Sequence, residues 1–400
     1  MLARLALRFR TTLPFTKKRV ADWHSRPGAS LRLNPSWNRI NNLAIETHID
    51  AYNGRTSWLE DRVQCIQPSV WLPARWTEKK LHRLFAYRHR VIAHDLGCIT
   101  SYAPTHLTIL ITGATGLVGS ELTAFLRAAG HTVLELSRTK EPSPNTVWWN
   151  PEMGQIDLTR LEGVDAVFHL AGETIAGRWS AEKKRRIRDS RVKGTQHLVE
   201  ALLRLKTPPK AFLCASAVGV YGDQGATILK ENSPVGSDFL AEVCQDWEAA
   251  ARHYTAGRVA NLRFGIILSP AGGALSKMTP PFRLGVGGCI GSGEQYMSWI
   301  AMDDVLYQCY HVLMTPSIEG PVNLVSPLPV TNQVFTQILG RTLHRPTLMP
   351  LPTFAVNLAF GEMGRTTLLA SQRASPGVLQ KTGSKFSYPE LDQTLAHMLC

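Results

Sequence analysis

Beyond residue 105 the chain alternates short apolar runs with longer stretches in which apolar residues recur at helical spacing. Residues 107–112 form a continuous apolar run typical of a strand that is buried on both faces. Residues 117–129 place Leu122, Phe125 and Leu126 on one face of a helix. Further strands are predicted over residues 132–137, 147–149, 165–171, 211–217 and 259–268, and further helices over residues 181–205 and 238–254. Alternation of this kind predicts an α/β fold with a doubly wound parallel sheet.

The first 105 residues show no comparable pattern. Residues 21–105 contain five of the ten tryptophans and several Asn, Pro and Gly residues, but no sustained period of 2 or 3.6. The aromatic content is unusual for a solvated linker, whereas the lack of periodicity disfavours a domain. We expect this poorly patterned extension to have low structural order.

The first 20 residues have the composition of an organelle transit peptide. They contain six basic residues, three hydroxyl residues and no acidic residue, and a helix would place Leu2, Leu5 and Phe9 on one side. The arginine bias favours mitochondrial import over plastid import. A disordered basic tail on a cytoplasmic protein is the alternative.

Composition and charge exclude several classes. Hydrophobic residues make up 44% of the 400 residues, and there is no apolar run long enough for a membrane span. Of the formal charge of +13, most belongs to residues 1–105, which hold 17 Lys and Arg against 7 Asp and Glu; the remainder holds 27 against 24. A basic region outside the predicted fold argues against nucleic-acid binding. The seven cysteines show no C-x-x-C pair and no metal-ligand spacing, which favours reduced thiols and no bound metal.

The segment "TGATGLVG" places Gly113, Gly116 and Gly119 between the first strand and the first helix of the alternating region. In this context the first glycine permits a tight turn, the second lets backbone approach a pyrophosphate, and the third lets the helix pack close to the strand. The pyrophosphate would lie at the helix N-terminus, formed by Thr115, Leu117 and Val118 with the glycines. The sequence therefore predicts a Rossmann-type dinucleotide site.

The end of the second strand indicates which dinucleotide is bound. An acidic residue there would hold the ribose hydroxyls of NAD, but "VLELSRTK" offers Ser137, Arg138 and Lys140, with Glu135 two residues earlier inside the strand. A guanidinium at this position pairs with a 2′-phosphate. We therefore predict NADP(H) rather than NAD(H).

The order of motifs resembles the extended short-chain dehydrogenases/reductases, and specifically the "epimerase family protein" branch of the NAD-dependent epimerases/dehydratases. The motifs are "TGATGLVG", "HLAGETIAGRWS", "SRVKGT", "CASAVGVYG", "DFLAEVCQDWE", "LRFGIILS", "PFRLGVGGCIGSGEQYMSWIAMDDV" and "NLVSPLPVTN". The resemblance implies a cofactor-binding domain over residues 106–270, substrate-side segments and remaining strands over 271–345, and a small C-terminal substrate-side domain over 346–400.

The resemblance also implies further cofactor contacts. They are the tip of the fourth strand, at Leu170, Ala171 and Gly172, then Arg191 on the next helix, and backbone near Ile267 after the sixth strand.

Catalysis in this superfamily normally uses a Ser or Thr after the fifth strand and a Tyr and Lys four residues apart on the next helix, which together transfer a proton. Ser216 matches the first position. Leu240 and Cys244 stand where the Tyr and Lys belong, and neither replaces them. Tyr221 is a weak candidate for the missing acid.

Other residues near these positions have simpler interpretations. We expect Asp238 to cap the following helix and Glu242 to lie on its solvated face. Ala301, after "WI", replaces a His that the branch usually carries, and the glycines of residues 272–293 suggest a mobile lid.

Two functions follow from these features. The first is an NADP-dependent oxidoreductase or epimerase acting on a small polar substrate of unknown identity. The alternative is a non-catalytic NADP-binding sensor or scaffold that lost the Tyr–Lys pair. A homodimer is expected by analogy alone.

Overall fold

The computed structural model describes residues 4–34, 43–66, 74–139 and 143–399. It divides into two compact units, the first comprising Met1–His106 with Glu121–His131, the second Leu107–Ser120 with Thr132–Cys400. Among the helices of the described ranges, none has the length and apolar content needed to cross a bilayer. Lys140, Leu2 and Cys400 lie outside the described residues.

The first unit is an antiparallel sheet with helices. Its elements are β1 (Arg4–Leu13), α1 (Lys17–Ser25), α2 (Ala29–Leu33), β2 (Leu43–Asn53), β3 (Thr56–Ile66) and α3 (Ala74–Thr100). The strands are ordered β1-β3-β2. The expectation of low structural order in residues 21–105 is therefore wrong, because these residues supply two of the three strands and a 27-residue helix.

The helix expected near the N-terminus is also wrong. Residues 4–13 form β1, which pairs with β3 over its whole length, Arg4 with Ile66 and Leu13 with Ser57. Phe9 and Leu13 are buried in the cores of this unit. Apolar residues two positions apart suit a strand with one buried face, and pairing with a strand fifty residues away decides between that pattern and a helix.

Helix α3 explains why the sequence of this region shows no clear helical period. Its buried apolar residues do recur at helical spacing, as in Leu81, Leu84 and Phe85. Arg88 and Asp95 interrupt the stripe, yet both are buried as well. Asp95 accepts two hydrogen bonds from the buried Arg32, at 2.8 and 3.1 Å. Charged residues that are buried through pairing break the apolar pattern without breaking the helix.

The second unit contains the predicted parallel sheet. Its first elements are β4 (Thr108–Thr112), α4 (Leu117–Ala129, whose later turns belong to the first unit), β5 (Thr132–Ser137), β6 (Thr146–Asn150), β7 (Gln155–Ile156), β8 (Ala166–His169), α5 (Ala181–Leu202), β9 (Ala211–Ala217), β10 (Ile228–Leu229), α6 (Phe239–Arg252) and β11 (Arg258–Phe264). These bounds confirm the predicted strands and helices to within a few residues, except that the predicted sixth strand is divided.

The division falls at Gly265, which separates β11 from β12 (Ile266–Ser269). A Cβ at Gly265 would lie 2.4 Å from the backbone oxygen of Ser298, so the chain bends here at close backbone contact. The following elements are α7 (Gly273–Arg283), β13 (Tyr296–Met297), β14 (Trp299–Ala301), α8 (Met302–Met314), β15 (Gly320–Leu324), β16 (Val330–Thr331), α9 (Asn332–Leu343), α10 (Thr353–Phe360), α11 (Glu362–Gly364), β17 (Arg373–Ala374), α12 (Gly377–Lys381) and α13 (Leu391–Leu399). Strand β12 pairs with β14 instead of the main sheet.

The main sheet has the order β15-β11-β9-β8-β4-β5-β6-β7. All neighbours are parallel except β7, which pairs antiparallel with β6. From β4 the chain proceeds outward through β5 and β6, then returns to place β8 on the other side of β4. In sheets of this kind ligands bind beyond the carboxyl ends of the strands at this switch point.

Candidate functional site at the switch point

The glycine turn lies between β4 and α4 at the switch point. Gly113 has φ +71°, a conformation that disfavours other residues. A Cβ at Gly119 would lie 2.1 Å from the Gly113 oxygen, and a Cβ at Gly113 would lie 3.0 Å from the backbone of Leu170 and Ala171. Backbone of the turn itself and of the residues that follow β8 therefore crowds this turn and excludes side chains from it.

The turn exposes the first residues of α4. Thr115 and Gly116 are exposed, Leu117 and Val118 are half-buried, and Gly119 is buried. The first N–H groups of a helix have no partner within the helix and favour an anion. This exposed, crowded turn fits the pyrophosphate that the sequence predicts there.

Leu170 and Ala171 follow the end of β8, as expected, and a buried network holds them. Their N–H groups donate to Thr112 Oγ1 at 3.1 and 3.0 Å. Thr112 Oγ1 also lies 2.8 Å from His169 Nδ1, and His169 Nε2 lies 2.9 Å from Thr195 Oγ1.

These partners assign the tautomer of His169. Because Thr112 Oγ1 accepts two N–H groups, its own proton is donated to Nδ1, and Nε2 carries the ring proton toward Thr195. Burial lowers the pKa of His169 to about 3, so the ring is neutral. The sequence reasoning missed Thr112, His169 and Thr195. For Thr112 and His169 the available signal was a polar residue at the buried end of an apolar strand, whereas Thr195 lies in α5.

Gly172 and Arg191 lie together, as the resemblance implied. A Cβ at Gly172 would lie 3.2 Å from Arg191 Cζ. Arg191 Nη1 donates to the oxygens of Glu173 and Ile187, at 3.0 and 3.1 Å, and the guanidinium lies over the Trp247 ring. The arginine is thus fixed beside the tip of β8.

Ser137 and Arg138 lie next to the glycine turn. The register pairs Thr112 with Leu136, so Ser137, the last residue of β5, lies beside Gly113. Ser137 Oγ accepts from the Thr139 N–H at 3.1 Å, and Arg138 is exposed.

Ile267 lies in β12, where it pairs with Ile300. Its oxygen would lie 3.6 Å from a Cβ at Gly273, and the Leu117 side chain lies 3.2 Å from the same point. Ile267 is therefore close to the glycine turn through the start of α7.

Ser216 lies in a buried network at the end of β9. It is 3% exposed, and its hydroxyl donates to Glu248 Oε1 at 2.7 Å. Glu248 also accepts from Arg263 Nε and Nη2 at 2.8 and 2.9 Å. Although burial lowers the pKa of Arg263, its bonds to Glu248 raise it by more, so the buried guanidinium stays charged.

Tyr221 belongs to the same network. It is fully buried, accepts from Arg263 Nη1 at 2.9 Å, and donates to Asn323 Oδ1 at 2.8 Å. Burial raises the pKa of the phenol. Sequence reasoning missed the roles of Arg263 and Asn323, because no motif signals a pairing over such distances along the chain.

The positions of the usual Tyr and Lys lie on α6. Leu240 is half-buried, and Cys244 is buried, which raises the pKa of its thiol to about 11. Asp238 accepts from the N–H groups of Leu240 and Ala241, the capping role expected of it. Glu242 is exposed and pairs with Arg188 at 3.2 Å.

Ala301 and residues 272–293 pack into the second unit. Ala301 is fully buried at the end of β14. The segment considered as a lid contains α7, and its residues after Arg283 form backbone hydrogen bonds with residues 349–351. In the described ranges no cluster of His, Cys, Asp or Glu could hold a metal, and Cys214, Cys244, Cys289 and Cys309 are free thiols.

The doubly wound sheet, the glycine turn and the strand ends around it define an α/β protein with the geometry of a dinucleotide site. The sequence pattern of the NAD dependent epimerase/dehydratase family matches residues 109–324, and that of a domain of unknown function (DUF1731) matches residues 351–398. The chain belongs to the NAD dependent epimerase/dehydratase family.

Known relatives agree with this assignment. An epimerase family protein of Mycobacterium bovis is 43% identical over 292 residues, covering 72% of this chain and 96% of the relative. The crystal structure of human epimerase family protein SDR39U1 (isoform 2) with NADPH is 35% identical, with a TM-score of 0.68, covering 73% of this chain and 99% of that one.

A third relative extends to the first unit. The crystal structure of a nucleoside-diphosphate sugar epimerase from Corynebacterium glutamicum is 32% identical, with a TM-score of 0.81, and covers 98% of this chain and 90% of that one. Because the match covers nearly the whole chain, residues of both units have counterparts in that protein.

Proposed function

We propose that the protein binds NADP(H) at the switch point and acts as an NADP(H)-dependent oxidoreductase on a small polar substrate. The observation that carries the proposal is the glycine turn, where backbone excludes a side chain at Gly113 and Gly119 and Arg138 is exposed beside it. The human relative's structure with NADPH supports the choice of the phosphorylated cofactor.

Each part of the cofactor has residues suited to hold it. The first turn of α4, from Leu117, would bind the pyrophosphate through backbone N–H groups. Arg138, with Ser137 beside it, would pair with the 2′-phosphate. Leu170, Ala171 and Gly172 would line the cleft opposite, and Ile267 would lie toward the nicotinamide. When bound, the reduced cofactor supplies a hydride.

Ser216 would orient the substrate as a hydrogen-bond acceptor. Its proton is donated to Glu248, so only the lone pairs of Oγ remain for a substrate hydroxyl. Leu240 has no exchangeable proton, the Cys244 thiol stays protonated near neutral pH, and Tyr221 is fully buried. The proton that accompanies the hydride would therefore come from water.

The test is calorimetry with NADPH and NADH, followed by NADPH absorbance with ketones, aldehydes and sugar nucleotides. We expect tighter binding of NADPH, turnover of one substrate class, and a large loss of turnover in Ser216→Ala. A rate profile without a titrating acid between pH 6 and 9 would agree with a proton from water. Absence of binding by either cofactor would refute the proposal.

The second candidate is a non-catalytic NADP(H) sensor. The favouring observation is that the Ser216 and Tyr221 hydroxyls donate to buried partners, Glu248 and Asn323. Tight NADPH binding with no turnover across the panel, unchanged by Ser216→Ala, is the result that selects it.

Localisation is a prediction from the sequence, with mitochondrial import first and plastid or cytoplasmic location as alternatives. Because β1 contributes Phe9 and Leu13 to the core, we expect an imported protein to keep this strand. The mass of the N-terminal peptide from organelle-purified protein tests this. Homodimer formation is likewise proposed by analogy only.

A further inference from the structure

Large apolar side chains are exposed where residues 284–291 run beside residues 345–353. The Met349 N–H donates to the Gly287 oxygen at 3.3 Å, and the Leu351 N–H donates to the Cys289 oxygen at 2.8 Å. Six side chains on these segments and the adjoining α10, here called the apolar patch, are between 49% and 83% exposed: Leu284, Val286, Leu348, Met349, Phe354 and Leu358. A group of neighbouring exposed apolar side chains of this kind marks an interaction site.

Helix α10 adds to the patch along one of its faces. Phe354 and Leu358 are four residues apart, so they lie one above the other, and each is 74% exposed. Val356 is fully buried. A helix that is apolar on both its buried and its exposed sides needs a cover on the exposed side.

The surroundings of the patch are positively charged. Neither residues 249–293 nor residues 320–361 contain an Asp or Glu. Arg283, Arg341 and Arg345 are exposed, and Arg345 Nε donates to the Arg283 oxygen at 2.8 Å. A surface cavity of about 580 Å³ is lined by Gln337, Gly340, Arg341, His344, Arg345, Pro346 and Thr347. The cavity adjoins the patch through Pro346 and Thr347 and offers guanidinium groups to an anion.

We propose that this face docks onto an anionic phospholipid membrane, with the patch in the lipid boundary and lipid phosphates at the arginines and the cavity. Apolar side chains beside basic ones are the combination that binds such surfaces. A second copy of the chain is disfavoured, because a two-fold contact through this face would bring the arginines of both copies into one interface.

The test is cosedimentation of the full chain with vesicles of phosphatidylcholine alone and of phosphatidylcholine with phosphatidylglycerol. We expect binding to the anionic vesicles that weakens at high salt, since exposed charges are screened. Leu348→Ser/Phe354→Ser and Arg341→Glu/Arg345→Glu should each lower binding at least about tenfold. Ile228→Ser and Arg185→Glu/Arg252→Glu are the matched controls, exposed apolar and basic residues elsewhere, and should bind as the parent does.

Failure of the parent protein to bind anionic vesicles would overturn the proposal, as would equal losses in the controls. A dimer in analytical ultracentrifugation that the patch variants dissociate, without vesicle binding, would assign the face to a second copy instead. Circular dichroism and thermal unfolding establish that each variant folds; if the double serine variant does not, the arginine variant decides alone.

Discussion

The Ser216 hydroxyl, at the position that faces substrate in the superfamily, donates a hydrogen bond to a buried carboxylate. Glu248 holds that hydroxyl and pairs with Arg263, which in turn reaches Tyr221. A buried ion pair is weak evidence for stability, but removal of one partner leaves an uncompensated charge. The same residues therefore hold the Ser216 hydroxyl and organise the core.

Replacement of Glu248 tests this network. Glu248→Leu should lower the free energy of unfolding by about 3–5 kcal/mol, because Arg263 then stays buried without its partner. Urea unfolding measures the change. Glu242→Leu on the exposed side of the same helix should change it by less than about 1 kcal/mol, and a similar loss in both variants would contradict the network's role.

The choice between cofactors rests on one side chain. Arg138→Ala should weaken NADPH binding by about ten- to a hundredfold, since hydrogen bonds to charged groups contribute about 1.5–3 kcal/mol. NADH binding should change little. Calorimetry with both cofactors measures this, with Arg185→Ala as the control; equal losses for the two cofactors would show that Arg138 does not read the 2′-phosphate.

His169 makes stability depend on pH. Its pKa is lowered to about 3 in the folded protein, while the unfolded chain has about 6.5, so the stabilisation is complete above pH 6.5 and is lost as pH falls toward 3. Between pH 7 and pH 5 this histidine should account for about 2 kcal/mol of lost unfolding free energy. Urea unfolding should show that the unfolding free energy of His169→Gln falls by about 2 kcal/mol less between pH 7 and pH 5 than that of the parent protein. An equal fall in both proteins would refute the assignment.

At the scale of elements, the parallel sheet was predictable and the first unit was not. Buried parallel strands appear in a sequence as continuous apolar runs. The strands over residues 132–137 and 211–217 were therefore predicted with the same bounds as in the structure. Strand β1 needs β3, some fifty residues later, to define its pairing. In α3 the buried Arg88 hides a stripe that apolar residues alone would have shown.

The strand at the N-terminus should contribute to stability. Phe9 is buried and stacks on Phe85 with ring centroids 4.4 Å apart, so Phe9→Ala should lower the unfolding free energy by about 3–5 kcal/mol. The exposed neighbour Arg8→Ala should change it by no more than about 0.5 kcal/mol. Denaturant unfolding followed by tryptophan fluorescence measures both, and an unchanged Phe9→Ala variant would show that β1 is dispensable.

At the scale of the molecule, the cofactor site is assembled from distant parts of one chain. The turn at 113–119, the strand end at 137–138, the strand end at 170–172 and Ile267 converge because β4, β5 and β8 are neighbours and β12 follows the bend at Gly265. The resemblance supplied the positions, and the sheet order supplies the reason that they meet.

Cofactor binding should stabilise the folded state as a whole. NADPH at a hundred times its Kd should raise the unfolding free energy by about 2.7 kcal/mol through mass action. Differential scanning calorimetry at increasing NADPH measures the rise in Tm. An equal rise with NADH at equal concentration would contradict the predicted preference.

The sequence by itself determined the alternating strands and helices, the glycine turn, Arg138 at the strand tip, and the absence of the Tyr–Lys pair, because each is a local pattern of residue types. Only the tertiary structure decided that Ser216 donates to Glu248, that His169 is neutral between two threonines, and that residues 4–13 are a strand. Those outcomes depend on burial and on partners far along the chain, which no local pattern encodes.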